Sequence, residues 1–285
     1  MGQRIQDYKL LIKFRLSSLV VFSSVLAYLI AAQGQVSWIP IVLLAIGGML
    51  VTGAANALNQ VLERDYDKLM KRTADRPIAA GRMQVSEGVM AAGLMSLFGI
   101  TILAVFNPWT AFLGMISLLM YSFVYTPMKR VSPTAVFVGA IPGALPTMIG
   151  AVAYQGEITT LALSLFAIQF IWQFPHFWSI AWLAFEDYFN AGFYLLPTSK
   201  GVEDRSTALQ STIYAALLIP VGCLPYWLGV TGITSAIGAV LLGIMYTYCG
   251  WLFYRQFDRA AGRKLMFSSF IYLPILLILF FVDKI

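Results

Sequence analysis

Residues 38–77 read WIPIVLLAIGGMLVTGAANALNQVLERDYDKLMKRTADRP and join a long apolar segment to a strongly charged one. The apolar part is long enough to cross a bilayer as a helix, and the charges begin where that crossing would end. Asn59, Glu63 and Asp67 recur every four residues, so a helix places them on one face, each about 6 Å above the last. Acidic groups this close to a spanning segment point to function. The stretch therefore predicts a membrane helix that ends in a reactive site.

The side chains of this face have the chemistry of a metal site. One amide oxygen and two carboxylates suit a hard divalent cation such as Mg²⁺, which is usually shared with phosphate. Four basic residues follow and are candidates to hold that phosphate: Lys71, Arg72, Arg76 and Arg82. The alternative is an ordinary helix end whose charges pair at i,i+4 spacing. That alternative explains mixed charges but not an amide and two acids in phase, so we favour the metal site.

The chain as a whole has the composition of a polytopic membrane protein. Of its 285 residues, 59% are hydrophobic and 11% are charged, and its mean hydropathy is +0.77, as expected for a chain that lies in lipid. The apolar runs lack the alternation of barrel strands, so helices are expected. Nine spans are predicted, at residues 16–33, 38–59, 86–106, 109–127, 134–154, 160–184, 207–229, 232–253 and 266–282. The expected fold is a single all-α membrane domain over residues 1–285, with nine transmembrane helices around a central cavity.

The basic residues predict the orientation of these spans. With a cytoplasmic N-terminus, all but one of the 19 Lys and Arg residues fall on the inner side, the exception being Lys284. This asymmetry follows the positive-inside rule, and a bacterial inner membrane is the expected location. The inside loops near 60–85 and 185–206 are long and acidic, so the cavity should open near the cytoplasmic face. The net charge of +6 therefore reports topology and contact with anionic lipid or phosphate, and does not indicate nucleic acid.

Two further charged motifs lie on the same predicted side. The loop YTPMKR (residues 125–130) contains Tyr125 and Lys129, which by themselves are more typical of an ordinary aromatic and basic membrane boundary. Glu186 and Asp187 end the sixth span as the acids of the first stretch end the second. They predict a second Mg²⁺ site, with two exposed acids at a helix end as the alternative.

The single histidine, His176, lies within WQFPHFW in the sixth predicted span. A lone histidine among aromatic residues is often a hydrogen-bonded core residue, but a polar group at membrane depth tends to mark a site. Its candidate roles are ligand to a haem iron, proton acceptor and partner of a substrate propionate. Trp172 and Gln173 surround it at about one helical turn. Cys223 and Cys249 both lie in apolar spans and support neither a disulfide framework nor a metal cluster.

Together these motifs resemble those of the UbiA-type intramembrane prenyltransferases, over nearly the whole chain. The family signature of Asn followed by acids at +4 and +8 is matched by the first stretch. Its Tyr-x-x-x-Lys signature is matched by YTPMK, and its Glu-Asp signature by the acids that end the sixth span. Residues 56–82 and 172–188 are characteristic of the branch that acts on haem. Ala184 stands where quinone-pathway relatives usually carry Asp, while Phe14 departs from a proline common in the family.

The resemblance implies a reaction and a set of residues. Farnesyl diphosphate would be joined to haem B, whose 2-vinyl group becomes a hydroxyethylfarnesyl group with loss of pyrophosphate, giving haem O. The expected Mg²⁺ ligands are Asn59, Glu63, Asp67, Glu186 and Asp187. The expected catalytic residues are Asn59, Glu63, Asp67, Arg72, Arg76, Lys129 and His176, and the expected substrate-binding residues are Tyr125, Trp172, Gln173 and His176.

The sequence permits two alternative functions. The first is prenylation of an aromatic quinone precursor by the same family, against which His176 and Ala184 count. The second is a cation-coupled transporter, which is disfavoured because the acids cluster at one membrane face. The expected partners are the lipid bilayer, haem B and farnesyl diphosphate, with haem A synthase or haem-copper oxidase assembly factors as candidate recipients of the product.

Overall fold

The chain is almost wholly helical in a computed structural model that describes residues 2–32, 34, 36–197 and 204–285. The helices are α1 Gly2–Leu11, α2 Phe14–Ala31, α3 Trp38–Asp67, α4 Val85–Ala104, α5 Pro108–Leu119, α6 Thr126–Met128, α7 Ala135–Gln155, α8 Thr160–Leu183, α9 Phe185–Asn190, α10 Arg205–Val221, α11 Leu224–Trp227, α12 Ile233–Gln256 and α13 Arg259–Val282. A π-helical turn, Met120–Tyr125, lies between α5 and α6. The described residues form no β-strand, only one bridge between Thr231 and Lys284. The all-α prediction is confirmed.

Eight stretches of the described chain are long and apolar enough to cross a membrane. They are Phe14–Ala31, Trp38–Asp67, Val85–Ala104, Pro108–Met128, Ala135–Gln155, Arg205–Trp227, Ile233–Gln256 and Arg259–Val282. Each matches one of the predicted spans. The remaining predicted span, the sixth (residues 160–184), is α8, which has 24 residues but falls outside this set. It carries Gln169, Gln173 and His176 among its apolar residues. Within the predicted inside loop at 185–206, residues 198–203 lie outside the described part of the chain.

The long helices pack against one another so that the last meets the first. Helix α3 lies along α4, α2 along α7, and α10 along α12, while α8 contacts α7, α10 and α13. Helix α13 returns to contact α2. Lys284 Nζ supports this junction by donating to Leu29 O and Ala32 O, at 2.9 Å each. These are carbonyls that the end of α2 leaves without helical partners.

Helix α7 is continuous although it contains two prolines. Pro146 cannot donate to Pro142 O, and Ser117 Oγ donates to that carbonyl instead, at 3.2 Å. Gly150 lies so close to α2 that a Cβ there would stand 1.9 Å from Ser24 O. Only glycine permits this backbone approach. The Gly- and Pro-rich sequence of α7 therefore serves close helix packing.

The π-helical turn positions the end of the fourth span. Thr126 N–H donates to Tyr121 O, five residues back. Pro127, the next residue, has no N–H to donate, and its ring would press on the carbonyl four residues earlier in a regular helix. The wider turn relieves that conflict. It also places the side chains of Tyr121 and Tyr125 in one cavity.

Candidate active site

A polar cavity lies where α3 ends, with about 500 Å³ of open space that includes part of the solvent at its mouth. Its walls come from the α1–α2 turn, α3 and the loop after it, the π-helical turn, and the segment that contains α9. The polar residues that line it are Lys13, Asn59, Glu63, Arg72, Thr73, Arg76, Tyr121, Tyr125, Lys129 and Tyr188. Asn59 and Glu63 of the first acidic motif, Arg72 and Arg76 behind it, and the Tyr-Lys motif therefore line one cavity. Asp67 is not a lining residue and contacts this group through Arg76.

Each of the three candidate metal ligands on α3 is bound to a different cationic side chain. Asn59, Glu63 and Asp67 lie along one face of the helix and are only 1%, 4% and 0% exposed. Burial of unpaired acids would be strongly unfavourable, so these partners are needed to stabilise them. The contacts are Lys13 Nζ to Asn59 Oδ1 at 3.0 Å, Lys129 Nζ to Glu63 Oε1 at 2.8 Å, and Arg76 Nη1 to both Asp67 carboxylate oxygens at 2.7 Å.

Lys129 is held by the segments on both sides of the cavity. Its Nζ lies 4.7 Å from the centre of the Tyr125 ring, and its carbonyl accepts from Tyr194 N–H at 2.7 Å. Burial lowers the pKa of Lys129, but the Glu63 carboxylate and the cavity tyrosines together outweigh burial and raise this pKa above its ordinary value. Lys129 therefore remains a charged ammonium group inside the cavity.

Lys13 is a cavity residue that the sequence analysis missed. It adopts a left-handed backbone conformation with φ of 48° at the turn between α1 and α2. Helix α3 holds this turn, because Asn56 Nδ2 donates to Ile12 O at 3.3 Å and Gln60 Nε2 donates to Leu11 O at 3.0 Å. Burial and the nearby cations Arg76 and Lys129 lower the pKa of this lysine well below its ordinary value. Its only sequence signal is a basic residue directly before the first span.

Two of the four basic residues that follow the acids line the cavity. One is Arg76, which contacts Asp67 of α3. The other is Arg72, whose Nη2 donates to Tyr188 OH at 2.6 Å. Arg82 instead ties the N-terminal helix to this loop through Asp7, at 2.9 Å, and Lys71 is exposed. The tertiary structure thus separates phosphate-binding candidates from structural cations.

The acids of α9 do not line this cavity, although their neighbour Tyr188 does. Glu186 is exposed and Asp187 is half-buried. Within the described ranges, no three His, Cys, Asp or Glu side chains are close enough to hold a metal by themselves. The structure brings the first acidic motif together with the basic residues and does not place Glu186 or Asp187 in the cavity lining.

His176 and its neighbours also lie away from the cavity. The His176 ring stacks on Trp172 with centroids 4.7 Å apart, and its Nδ1 is 2.7 Å from Ser269 Oγ. Because the Ser269 hydroxyl donates to Met266 O, its oxygen is left to accept from His176 Nδ1–H, and Nε2 keeps its lone pair. Gln173 Nε2 donates to backbone carbonyls of α7 and α8, at 3.1 and 3.0 Å. These side chains hold α8 against α13 and α7.

Comparison with known proteins identifies the family of this chain. The profile of the UbiA prenyltransferase family matches residues 20–273. The chain belongs to this family. Among relatives of this UbiA protein, a protoheme IX farnesyltransferase of Cytophaga hutchinsonii is 48% identical over 100% of both chains. Another, from Christiangramia forsetii, is 44% identical over 98% of this chain and 94% of its own length.

Solved UbiA structures share the fold. A structure of digeranylgeranylglyceryl phosphate synthase matches with a TM-score of 0.82 at 18% identity, over 99% of this chain and 98% of that chain. A UbiA homologue from Archaeoglobus fulgidus bound to DMAPP and Mg²⁺ matches with a TM-score of 0.71 at 13% identity, over 94% and 99%. Family membership and the apolar helices make the chain a multi-pass membrane prenyltransferase.

Proposed function

We propose that this chain transfers the farnesyl group of farnesyl diphosphate to the 2-vinyl group of haem B, giving haem O and pyrophosphate. One observation carries the diphosphate half of this proposal. Three candidate metal ligands on one helix face each contact a separate basic side chain, and those three basic side chains line a single cavity. Such a set can exchange those contacts for a metal ion and a diphosphate together. The full-length relatives named protoheme IX farnesyltransferase support the choice of haem B and farnesyl diphosphate.

The residues of the cavity fit Mg²⁺. Asn59, Glu63 and Asp67 offer one amide oxygen and two carboxylates, which is the donor type that this ion prefers. They lie on one helix face and are already compensated by positive charge. Mg²⁺ bound there would bind the diphosphate oxygens and favour departure of pyrophosphate. We assign Glu186 and Asp187, which directly precede the cavity residue Tyr188, to a second Mg²⁺.

The cavity cations stabilise the leaving group. With a metal ion on the α3 oxygens, Lys13, Arg76 and Lys129 would be free to bind the diphosphate, and Arg72 lines the same cavity. Negative charge grows on the pyrophosphate as the carbon–oxygen bond breaks. Cationic side chains positioned in a protein cavity stabilise that charge more than water would. These four residues therefore bind the substrate and lower the barrier to ionisation.

Ionisation leaves an allylic farnesyl cation, which the terminal carbon of the haem vinyl group attacks. Water then adds to the resulting cation beside the porphyrin ring and loses a proton, which produces the hydroxyl of haem O. The rings of Tyr121, Tyr125 and Phe193 line the cavity. Their faces stabilise a cation and exclude water until the carbon–carbon bond has formed.

Haem recognition is assigned to α8. The Nε2 lone pair of His176 is proposed to bind the haem iron, with the ring held in place by Trp172 and Ser269. Gln173 supports this part of α8 against α7 and thereby positions the histidine.

We further propose that residues 1–285 act as one domain in a bacterial inner membrane. Helix α8 is the sixth of nine spans, the N-terminus is cytoplasmic, and the cavity opens near the cytoplasmic face. This topology keeps the basic loops inside. Haem A synthase or a haem-copper oxidase assembly factor receives the product.

The test is a product analysis with the purified chain in lipid nanodiscs. Farnesyl diphosphate, Mg²⁺ and haem B should yield a product with the mass of haem O, and Glu63→Gln should abolish it. A parallel reaction replaces haem B by 4-hydroxybenzoate. Product formed only with the aromatic acid would overturn the proposal in favour of a quinone-pathway activity.

A further inference from the structure

The side-chain amide of Asn59 is held from two sides. Its Oδ1 faces the cavity and accepts from Lys13 Nζ at 3.0 Å. Its Nδ2 faces the protein wall and donates to Thr126 Oγ1 at 3.2 Å. Thr126 is 2% exposed. The two contacts give the amide a defined orientation, with oxygen toward the substrate and nitrogen away from it.

The π-helical turn makes Thr126 an acceptor. The Thr126 hydroxyl donates its single hydrogen to Tyr121 O at 2.8 Å, the same carbonyl that receives Thr126 N–H across the wide turn. With that hydrogen committed, Oγ1 presents only lone pairs to α3. An amide nitrogen satisfies those lone pairs, whereas an amide oxygen would repel them. Thr126 Oγ1 can therefore accept a hydrogen bond from the Asn59 amide nitrogen but cannot donate one to the Asn59 amide oxygen.

We propose that Thr126 is a positioning residue that keeps Asn59 Oδ1 turned toward the metal ion. The proposal rests on the assignment of Asn59 as a metal ligand. With metal and diphosphate bound, Lys13 would no longer contact Asn59. Of the two side-chain contacts that the described residues make to the Asn59 amide, Thr126 would then be the one that remains. Without the Thr126 hydroxyl, the amide can rotate by half a turn and point its N–H groups at a cation.

Metal binding measured without turnover tests this role. Mn²⁺ and inorganic pyrophosphate are titrated into the purified protein, and bound Mn²⁺ is read from the loss of the free-ion electron paramagnetic resonance signal. Thr126→Val keeps the shape and removes the acceptor, and should weaken Mn²⁺ binding by about tenfold, as loss of a ligand's hydrogen-bond partner does. Thr126→Ser retains the hydroxyl and should bind as the wild type does.

A second background separates orientation from packing. A carboxylate has two equivalent oxygens, so its rotation by half a turn changes nothing. In Asn59→Asp protein, Thr126→Val should therefore not weaken Mn²⁺ binding. An equal loss in both backgrounds would overturn the proposal, as would wild-type affinity in the Thr126→Val single variant.

Failure of the underlying metal assignment gives a different result. If Glu63→Gln binds Mn²⁺ as tightly as the wild type, α3 is not the metal site and both proposals are wrong. If Glu63→Gln loses binding and Thr126→Val does not, only the role of Thr126 is wrong. Thermal unfolding of each variant checks that the protein is folded, and Thr126→Ala supplies a second variant without the acceptor.

Discussion

Lys129 Nζ lies 2.8 Å from Glu63 Oε1, and this buried ion pair joins two motifs that are 66 residues apart in the chain. Each charge alone would be costly to bury, and each stabilises the other. The pair also combines a candidate metal ligand with a candidate phosphate-binding cation. Stability and function are therefore coupled at this contact.

Replacing Lys129 by Met should destabilise the protein, because the buried Glu63 carboxylate loses its nearest cation. We expect a loss of about 3 kcal/mol, measured by denaturant or thermal unfolding in detergent. The Glu63→Gln/Lys129→Met double variant should lose less than the sum of the two single changes. Lys68→Met, which breaks the exposed pair with Asp65 (3.1 Å), is the control and should leave the unfolding temperature unchanged. Equal effects of both lysine changes would contradict the prediction.

The activity should depend on Mg²⁺ bound by Asn59, Glu63 and Asp67 of α3. Asp67→Asn should reduce kcat/KM by about a hundredfold or more, because the developing charge loses electrostatic stabilisation. Chelation by EDTA should abolish activity, and added Mg²⁺ should restore it. Asp65→Asn is the matched control, since Asp65 lies two residues away on the exposed side of the same helix. Loss of activity in both variants alike would argue against a directed metal site.

Two arginines of similar sequence position should differ in function. Arg76→Met should raise the KM for farnesyl diphosphate and lower kcat, about a hundredfold in kcat/KM, because Arg76 lies in the cavity beside Asp67. Arg82→Met removes a cation bound to Asp7 outside the cavity. It should lower the unfolding temperature and leave the KM for farnesyl diphosphate unchanged. Steady-state kinetics of both variants measure the KM for farnesyl diphosphate. A similar rise in both variants would contradict the prediction.

The α9 acids allow a test of a second metal ion. Asp187→Asn should reduce activity by about ten- to a hundredfold and raise the Mg²⁺ concentration needed for half-maximal rate, as removal of a metal ligand does. Glu157→Gln changes an exposed acid that follows α7 and should have no effect. A normal Mg²⁺ dependence in the Asp187→Asn variant would leave α3 as the single metal site.

Haem spectroscopy should report on His176. If its Nε2 binds iron, His176→Ala should shift the Soret band of bound haem B. Ser269→Ala should broaden or weaken the wild-type spectrum, because Nδ1 loses its 2.7 Å partner and the ring loses a fixed tautomer. An unchanged Soret band with lost haem O formation would assign His176 an orienting role instead of ligation.

Much of the architecture could be predicted from the chain because lipid imposes strict rules on sequence. Apolar length predicts spans, and the eight long apolar stretches match predicted segments within a few residues at most ends. The largest difference in span length is at α3, where the predicted span ends at residue 59 and the apolar stretch of the structure extends to Asp67. The helix itself runs to Asp67, as the four-residue spacing of Asn59, Glu63 and Asp67 predicts.

Other features depend on contacts that no local pattern encodes. The π-helical turn before Pro127 and the left-handed Lys13 are set by the packing of neighbouring segments. Among the aromatic residues, the pattern around His176 predicts substrate contact. The structure shows Gln173 bonded to backbone carbonyls and the histidine bonded to Ser269. Buried polar side chains in helices must form hydrogen bonds. The position of a residue in a motif therefore does not show whether it supports helix packing or contacts the substrate.

Local patterns in the chain predict the class of protein, the order of its helices and the common face of Asn59, Glu63 and Asp67. Hydropathy and a four-residue period are local properties, and a helix converts them directly into geometry. Long-range packing places Lys13 and Lys129 in the cavity with Asn59 and Glu63, and leaves Arg82 outside it. Which cation meets which acid depends on how segments far apart in the chain pack together, and burial makes those pairings obligatory.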